Sequence, residues 1–196
     1  MKPRVAILDY GCGNLGSVAN AVRKVGGETA TWRVGESLDT FSHLVMPGQG
    51  HFGEAARAIH APIERPRIPV LGICLGMQLM CQSSEEAPGV EGLGWLPYRI
   101  ERMPILRLPH VGWNTIEWWD TTREEYYFCH SYAAPGFICD DRGLHPKKDT
   151  AFVIVEGKGF LAAVKHGNLW AVQFHPEKSG KVGFQLLNNF IRIAKC

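Results

Sequence analysis

Cysteine is the best nucleophile a chain carries at neutral pH, and Cys74 stands in a setting that would expose one. Residues 69–78, PVLGICLGMQ, contain Gly72-Ile73-Cys74-Leu75-Gly76, the thiol form of a nucleophile elbow. Such a turn lifts the side chain above the end of a strand on strained backbone, and small residues two positions to either side let neighbouring backbone pass. The following LGMQLMC predicts a helix, so Cys74 is expected at its N-terminus, where the dipole favours thiolate and lowers the pKa below the ~8.5 of a free thiol. The Leu75 backbone N–H is then one donor to a developing oxyanion.

A thiol nucleophile needs a base and a group that orients the base. VQFHPEKS supplies His175 and Glu177. Pro176 predicts an extended segment that sets the two side chains on one side, where the carboxylate fixes the tautomer and stabilises the imidazolium formed as Cys74 loses its proton. VMPGQG, residues 45–50, follows an apolar run. Its glycines permit positive φ, and Gly48 or Gln49 is expected to turn a backbone N–H toward the same oxyanion. A Cys-His-Glu set with two oxyanion donors points to acyl transfer from an amide or ester.

Gly11, Gly13 and Gly16 spell G-x-G-x-x-G after the apolar RVAIL. A dinucleotide site also needs an acidic residue ~20 positions on, at the end of the second strand. That strand ends TWRVG, with Arg33 and no carboxylate before Glu36. A 2′-phosphate on Arg33 would still lack a hydride-transfer site. The glycines therefore predict a tight strand-to-helix turn with Asn14 near the helix cap, and no cofactor or metal is expected.

These residues require a scaffold that gathers strand ends. RVAIL, TATW, HLVMPG and IPVLGIC read as strands, continuous in apolar character as in a parallel sheet covered on both faces. Helical spacing of Leu15, Val18, Ala19, Val22 and Val25, stopped by Gly26 and Gly27, completes a βαβα order. Beyond about residue 90, YRIERM, WNTIEWW, YYFCHSY, FVIVEG, LAAVKHG and LWAVQFH come close together, as in antiparallel strands or a small side sheet. Leu186, Leu187, Phe190, Ile191 and Ala194 have helical spacing. The expected fold is one α/β domain over residues 1–196: an open, mostly parallel sheet with helices on both faces, plus a smaller antiparallel side sheet.

Bulk composition fits this. The 196 residues carry 21 Lys and Arg against 19 Asp and Glu, interspersed, which excludes a field for nucleic acid or an anionic membrane. Cys12, Cys74, Cys81, Cys129, Cys139 and Cys196 form no C-x-x-C pair, so neither a zinc site nor a disulfide framework is expected. No stretch reaches the ~18 apolar residues of a membrane helix, and the first residues lack a signal-peptide core, so a cytoplasmic location is the expectation.

With GICLGMQ and FHPEKS the chain resembles class I (triad-type) glutamine amidotransferase domains nearly end to end. DYGCGNLGSV, MPGQGHFG, SSEEAPGVEGLGW, PHVGWN, YFCHSY and the Lys-Ser after Glu177 narrow the resemblance to the glutaminases of imidazole glycerol phosphate synthases. The glutaminases of anthranilate synthase, GMP synthetase and carbamoyl phosphate synthetase share the triad but lack DYGxGN and PHxGWN. The resemblance implies a flavodoxin-like fold and attack by Cys74 on the glutamine side-chain amide, giving a glutamyl thioester and ammonia. His175 would move protons and Glu177 orient it. Gln78, Glu86, Ser131 and Tyr132 would hold the α-amino and α-carboxylate groups. It also implies a heterodimer with a (β/α)₈ cyclase that receives the ammonia. Tyr10, Asn14, Pro109, Val111, Trp113, Tyr127 and Lys178 would lie at or near that interface.

Two positions depart from the family pattern: Gln49, where Val is usual, and Tyr98, where a small residue is. The alternatives are a glutaminase serving another synthase, such as anthranilate synthase, and a non-catalytic binding domain on the same fold.

Overall fold

A computed structural model describes residues 2–11, 14–59, 63–136 and 148–194, together with the backbone course of 138–140 and 143–145. Cys12, Gly13, Cys196 and the side chain of Cys139 lie outside the described residues.

The first half alternates strand and helix: β1 (Arg4–Leu8), α1 (Leu15–Lys24), β2 (Glu28–Trp32), β3 (His43–Met46), α2 (Phe52–Ala58), β4 (Val70–Ile73) and α3 (Leu75–Met80); of these, only α2 was not singled out in the sequence. The second half holds β5 (Ser83–Ser84), β6 (Arg99–Arg102), β7 (His110–Trp118), β8 (Arg123–His130), β9 (Tyr132–Ala133), β10 (Ile138–Asp140), β11 (Gly143–His145), β12 (Thr150–Val155), β13 (Lys158–His166) and β14 (Leu169–Val172). A 3₁₀ turn, Pro176–Lys178, and α4 (Gly180–Ile191) follow. Ala194, expected on that last helix, lies beyond its end and is exposed.

One nine-stranded sheet runs β2-β1-β3-β4-β14-β13-β12-β7-β8. Its first five strands are parallel, and the remaining pairings are antiparallel. β13, β12, β7 and β8 thus continue the parallel sheet, whereas LWAVQFH, expected among the antiparallel strands, supplies β14, parallel to β4; β5, β6 and β9 form a small separate sheet. Strand residues alternate between two cores. Val5, Ile7, Val45, Ile73 and Val172 meet α1 and α4; Ala6, Leu8, Leu44, Met46 and Ala171 meet α2 and α3. Burial on both faces explains why these strands read as unbroken apolar runs.

For function the decisive feature is at the centre. β4 pairs in parallel with β3 (Met46↔Gly72) and with β14 (Val172↔Ile73). Parallel neighbours end at the same edge, so Pro47–Gly50, Cys74 and His175 leave three adjacent strand ends together.

Candidate active site

β4 ends in a turn of two directions at once. Cys74 has φ 49° and ψ −104°, a left-handed-side conformation that costs a non-glycine residue about 1–3 kcal/mol. Surrounding backbone enforces it: Cys74 N–H donates to Val172 O at 2.7 Å, and Gln78 N–H to Cys74 O at 3.1 Å. Close approach dictates the flanking glycines. A Cβ on Gly76 would stand 2.0 Å from Met46 O, and one on Gly72 would stand 2.8 Å from Gly76 C.

The Pro47–Gly50 loop lies directly on this elbow. A Cβ on Gly48 would fall 2.1 Å from Ile73 O and 2.4 Å from Leu75 N. This corrects the expectation that positive φ explains the glycines there: Gly48 is glycine for contact, and the left-handed position is Gly50, at φ 137°. The Tyr10 hydroxyl, from the end of β1, donates to Pro47 O. Tyr10, expected at or near the interface, is only 4% exposed and turns its hydroxyl inward, onto the loop.

Beyond β14, Gln173 and Phe174 point to opposite faces and anchor the segment that carries His175. Phe174 stacks on Tyr126 at 3.9 Å. Gln173 turns toward α3, accepting from Gln78 Nε2 at 3.1 Å and donating to Cys74 Sγ at 3.4 Å. His175 Nδ1 meets Glu177 Oε1 at 2.8 Å with both side chains nearly sealed from solvent. The sequence predicted an extended His-Pro-Glu; instead His175 alone is extended and Pro176 opens a 3₁₀ turn. Proline restricts the residue before it but suits the first position of a helical turn, so the pair meets across one turn. Ser179 clamps the turn, donating to His175 O at 2.6 Å and accepting from Tyr127 N–H at 3.0 Å.

Burial by itself lowers the pKa of His175. The hydrogen-bonding and charge of Cys74 and of Glu177 outweigh it and raise the imidazole to about 10. Cys74 is near enough to act on the ring, yet Nε2 makes no aligned hydrogen bond with the protein, and neither does Glu177 Oε2. The arrangement favours an imidazolium beside the Cys74 sulfur, with Nε2 free to pass a proton.

A cleft of about 270 Å³ opens over Cys74 and is lined by Gly48, Gln49, Leu75, Gln78, Glu86, Ser131 and Tyr132. It therefore brings together the oxyanion and substrate-holding residues picked from sequence. Two of them are already engaged. Glu86 Oε2 accepts from the Phe52 N–H that opens α2, at 2.7 Å, and Gln78 Nε2 donates to Tyr132 O at 3.0 Å as well as to Gln173.

Sequence reasoning missed Gln173, Ser179, Tyr10 as a loop tether, and a histidine pair. His130 Nδ1 donates to Tyr132 O at 3.0 Å, which leaves its Nε2 to accept from His110 Nδ1–H at 3.3 Å. Burial, with the His110 and His175 charges, pushes His130 down to about 3, and burial also lowers His110. The signal was present in PHVGWN and YFCHSY, whose histidines face each other in the β7–β8 register.

Of the expected interface residues, Val111 and Trp113 are about half exposed. Trp113 meets Tyr127 edge-on at 6.2 Å, and Lys178 Nζ lies 5.9 Å from the same ring, so they form one patch beside the 3₁₀ turn that carries Glu177. Pro109 is exposed at the start of β7, and Asn14 caps α1 by accepting from Ser17 N–H at 3.1 Å. Gly11 takes φ 77°, and Arg33, weighed as a phosphate partner, pairs with Asp9 at 3.0 Å. Among the described residues, no cluster of His, Cys, Asp or Glu is arranged to hold a metal ion, and no helix is long and apolar enough to cross a membrane.

Residues 6–194 match the family model described as glutamine amidotransferase class-I. The chain is 37% identical to imidazole glycerol phosphate synthase subunit HisH of Methanothermobacter thermautotrophicus, across 98% of this chain and 100% of that one. It is also 37% identical to imidazole glycerol phosphate synthase hisHF of Emericella nidulans, across 96% of this chain and 38% of the longer protein. Among solved structures, PurLQS from Thermotoga maritima superimposes with a TM-score of 0.66 over 98% of this chain and 100% of that one, at 18% identity. That is a likeness of fold.

Proposed function

The chain belongs to the class-I glutamine amidotransferase family, among the HisH subunits of imidazole glycerol phosphate synthase, and from that premise we propose that it hydrolyses glutamine to glutamate and ammonia through Cys74, His175 and Glu177. The ammonia goes to a cyclase partner built as a (β/α)₈ barrel, which makes imidazole glycerol phosphate and AICAR in histidine biosynthesis.

In this mechanism the Cys74 thiolate attacks the side-chain amide carbon of glutamine. The tetrahedral oxyanion takes hydrogen bonds from Leu75 N–H and from a Gly48 or Gln49 N–H. His175 Nε2 gives its proton to the amide nitrogen, the C–N bond breaks, and ammonia leaves a glutamyl thioester. His175 then removes a proton from water, the hydroxide attacks the acyl carbon, and the C–S bond breaks to release glutamate and thiolate. Glu177 holds the ring and balances its charge throughout. Gln78, whose two amide N–H groups are both committed within the protein, has its carbonyl oxygen to offer and suits the α-ammonium. Ser131 and Tyr132 serve the α-carboxylate side, and Glu86 the α-ammonium.

One observation carries this reading: a buried Cys74, His175 and Glu177 at adjoining strand ends, with the imidazole raised to about 10 by the other two. The test is glutamate release by the purified chain alone, then with the cyclase and its nucleotide ligand, with Cys74→Ala as control. The expected result is low turnover alone, a sharp rise with the cyclase, and none in the variant. Turnover indifferent to the cyclase would reassign the chain to another synthase. None under any condition would make it a binding domain.

A further inference from the structure

We propose that Gln173 positions the nucleophile: its side-chain amide holds the Cys74 sulfur with an N–H whose direction is dictated, through Gln78, by the carbonyl of Tyr132. The proposal rests on Cys74 being the nucleophile, as argued above.

Gln173 is fully buried, just past β14 and facing α3. An amide side chain has a donor end and an acceptor end, and which faces the sulfur follows from its neighbours. The fixed point is Tyr132 O, which can only accept. Gln78 Nε2 lies 3.0 Å from it, so that end of Gln78 is the donor. The same Nε2 lies 3.1 Å from Gln173, so the atom it meets must be the acceptor, Oε1. Nε2 of Gln173 then faces Cys74 Sγ at 3.4 Å. Reversing Gln173 would set N–H against N–H at Gln78 and an oxygen lone pair against the sulfur. His130 Nδ1–H, on the same Tyr132 carbonyl at 3.0 Å, reinforces its role as acceptor.

An N–H aimed at sulfur favours thiolate over thiol and fixes the sulfur between the imidazole and the oxyanion donors. It also ties the residue that holds substrate, Gln78, to the atom that attacks it. The charged and titratable groups around the sulfur are His175 just before the 3₁₀ turn and Glu177 within it, Cys129 and His130 from β8, Tyr132 from β9 and Glu86 across the cleft. All remain in a Gln173 variant, so the difference isolates the amide.

The test is the pH profile of Cys74 alkylation by iodoacetamide on the full chain, read at the Cys74 peptide, in the wild type, Gln173→Met and Gln173→Glu. Cys81 is buried and pushed up to about 12, so it stays silent. In Gln173→Met the rate at pH 7 falls roughly tenfold and the midpoint rises by about one pH unit. Gln173→Glu keeps an acceptor for Gln78 but turns an oxygen to the sulfur, so its midpoint rises at least as far. With the cyclase present, kcat falls in both while KM stays within about twofold. Folded variants with wild-type profiles overturn the proposal. If Gln173→Met does not fold, Gln173→Glu decides. Independently of both, the wild-type Gln173 side-chain amide, followed by NMR, shifts with the Cys74 titration, and an amide indifferent to it also overturns the proposal. A wild-type Cys74 that reacts no faster than Cys129 would instead remove the nucleophile itself.

Discussion

Glu177 lies 2.8 Å from Nδ1 of His175 with a side chain only 3% exposed, so its charge reaches the imidazole with little screening. Glu177→Gln keeps an acceptor at Nδ1 and deletes the charge. It should lower kcat by about 10²–10⁴-fold and bring the His175 titration, followed by NMR, down toward its ordinary value. His130 carries the opposite shift, from 6.5 down to about 3. The unfolded chain therefore binds a proton there that the fold refuses. The resulting stability is present above pH 6.5 and lost as pH falls toward about 3. Melting temperature measured from pH 7 to 4 should drop less steeply in His130→Asn than in the wild type, even though the variant melts lower throughout. Cys74, His175 and Glu177 were legible in the sequence because their chemistry demands particular residue types in a short stretch of local backbone. Gln173 was not: the sulfur it serves is 99 residues away, and nothing near it in sequence distinguishes it from a strand-end glutamine.

At the scale of elements, the elbow and the Pro47–Gly50 loop share one contact surface made of glycines. Gly76→Ala forces a methyl group into Met46 O, which cannot retreat because β3 is paired on both sides. The variant should lose most alkylation of Cys74 and melt several degrees lower, seen by peptide mass analysis and calorimetry. Tyr10→Phe deletes the hydroxyl that holds Pro47 O and leaves the ring packed. With the loop freed on one side, glutaminase activity without the cyclase should change by about three- to tenfold and the melting temperature should fall by a few degrees; unchanged basal activity would deny Tyr10 any hold on the loop. β1, β3 and β4 were readable because two-sided burial writes itself as unbroken apolar runs, and α1 by its helical spacing; the short α2 was not singled out. The reason for Gly48 was not readable, since the atoms it avoids belong to the turn after β4. The His-Pro-Glu conformation was misread because proline's effect on His175 was extended one residue too far.

Across the whole molecule, Val111, Trp113, Tyr127 and Lys178 make one apolar and cationic patch at the β7–β8 end, next to the turn that carries Glu177. Trp113→Ala should weaken cyclase binding roughly tenfold or more in a titration and leave the activity of the free chain untouched. The sheet order also imposes a timetable on the molecule. β4, which leads into Cys74, is flanked by β3 and by β14, the distant strand Leu169–Val172. While the chain emerges from the ribosome, one side of β4 therefore waits with unpaired N–H and C=O groups until residues 169–172 arrive. The strand that closes that gap is also the one that brings His175. Nascent chains halted before β14 should be sticky and inert, and the thiol should acquire its reactivity only once β14 and His175 have emerged.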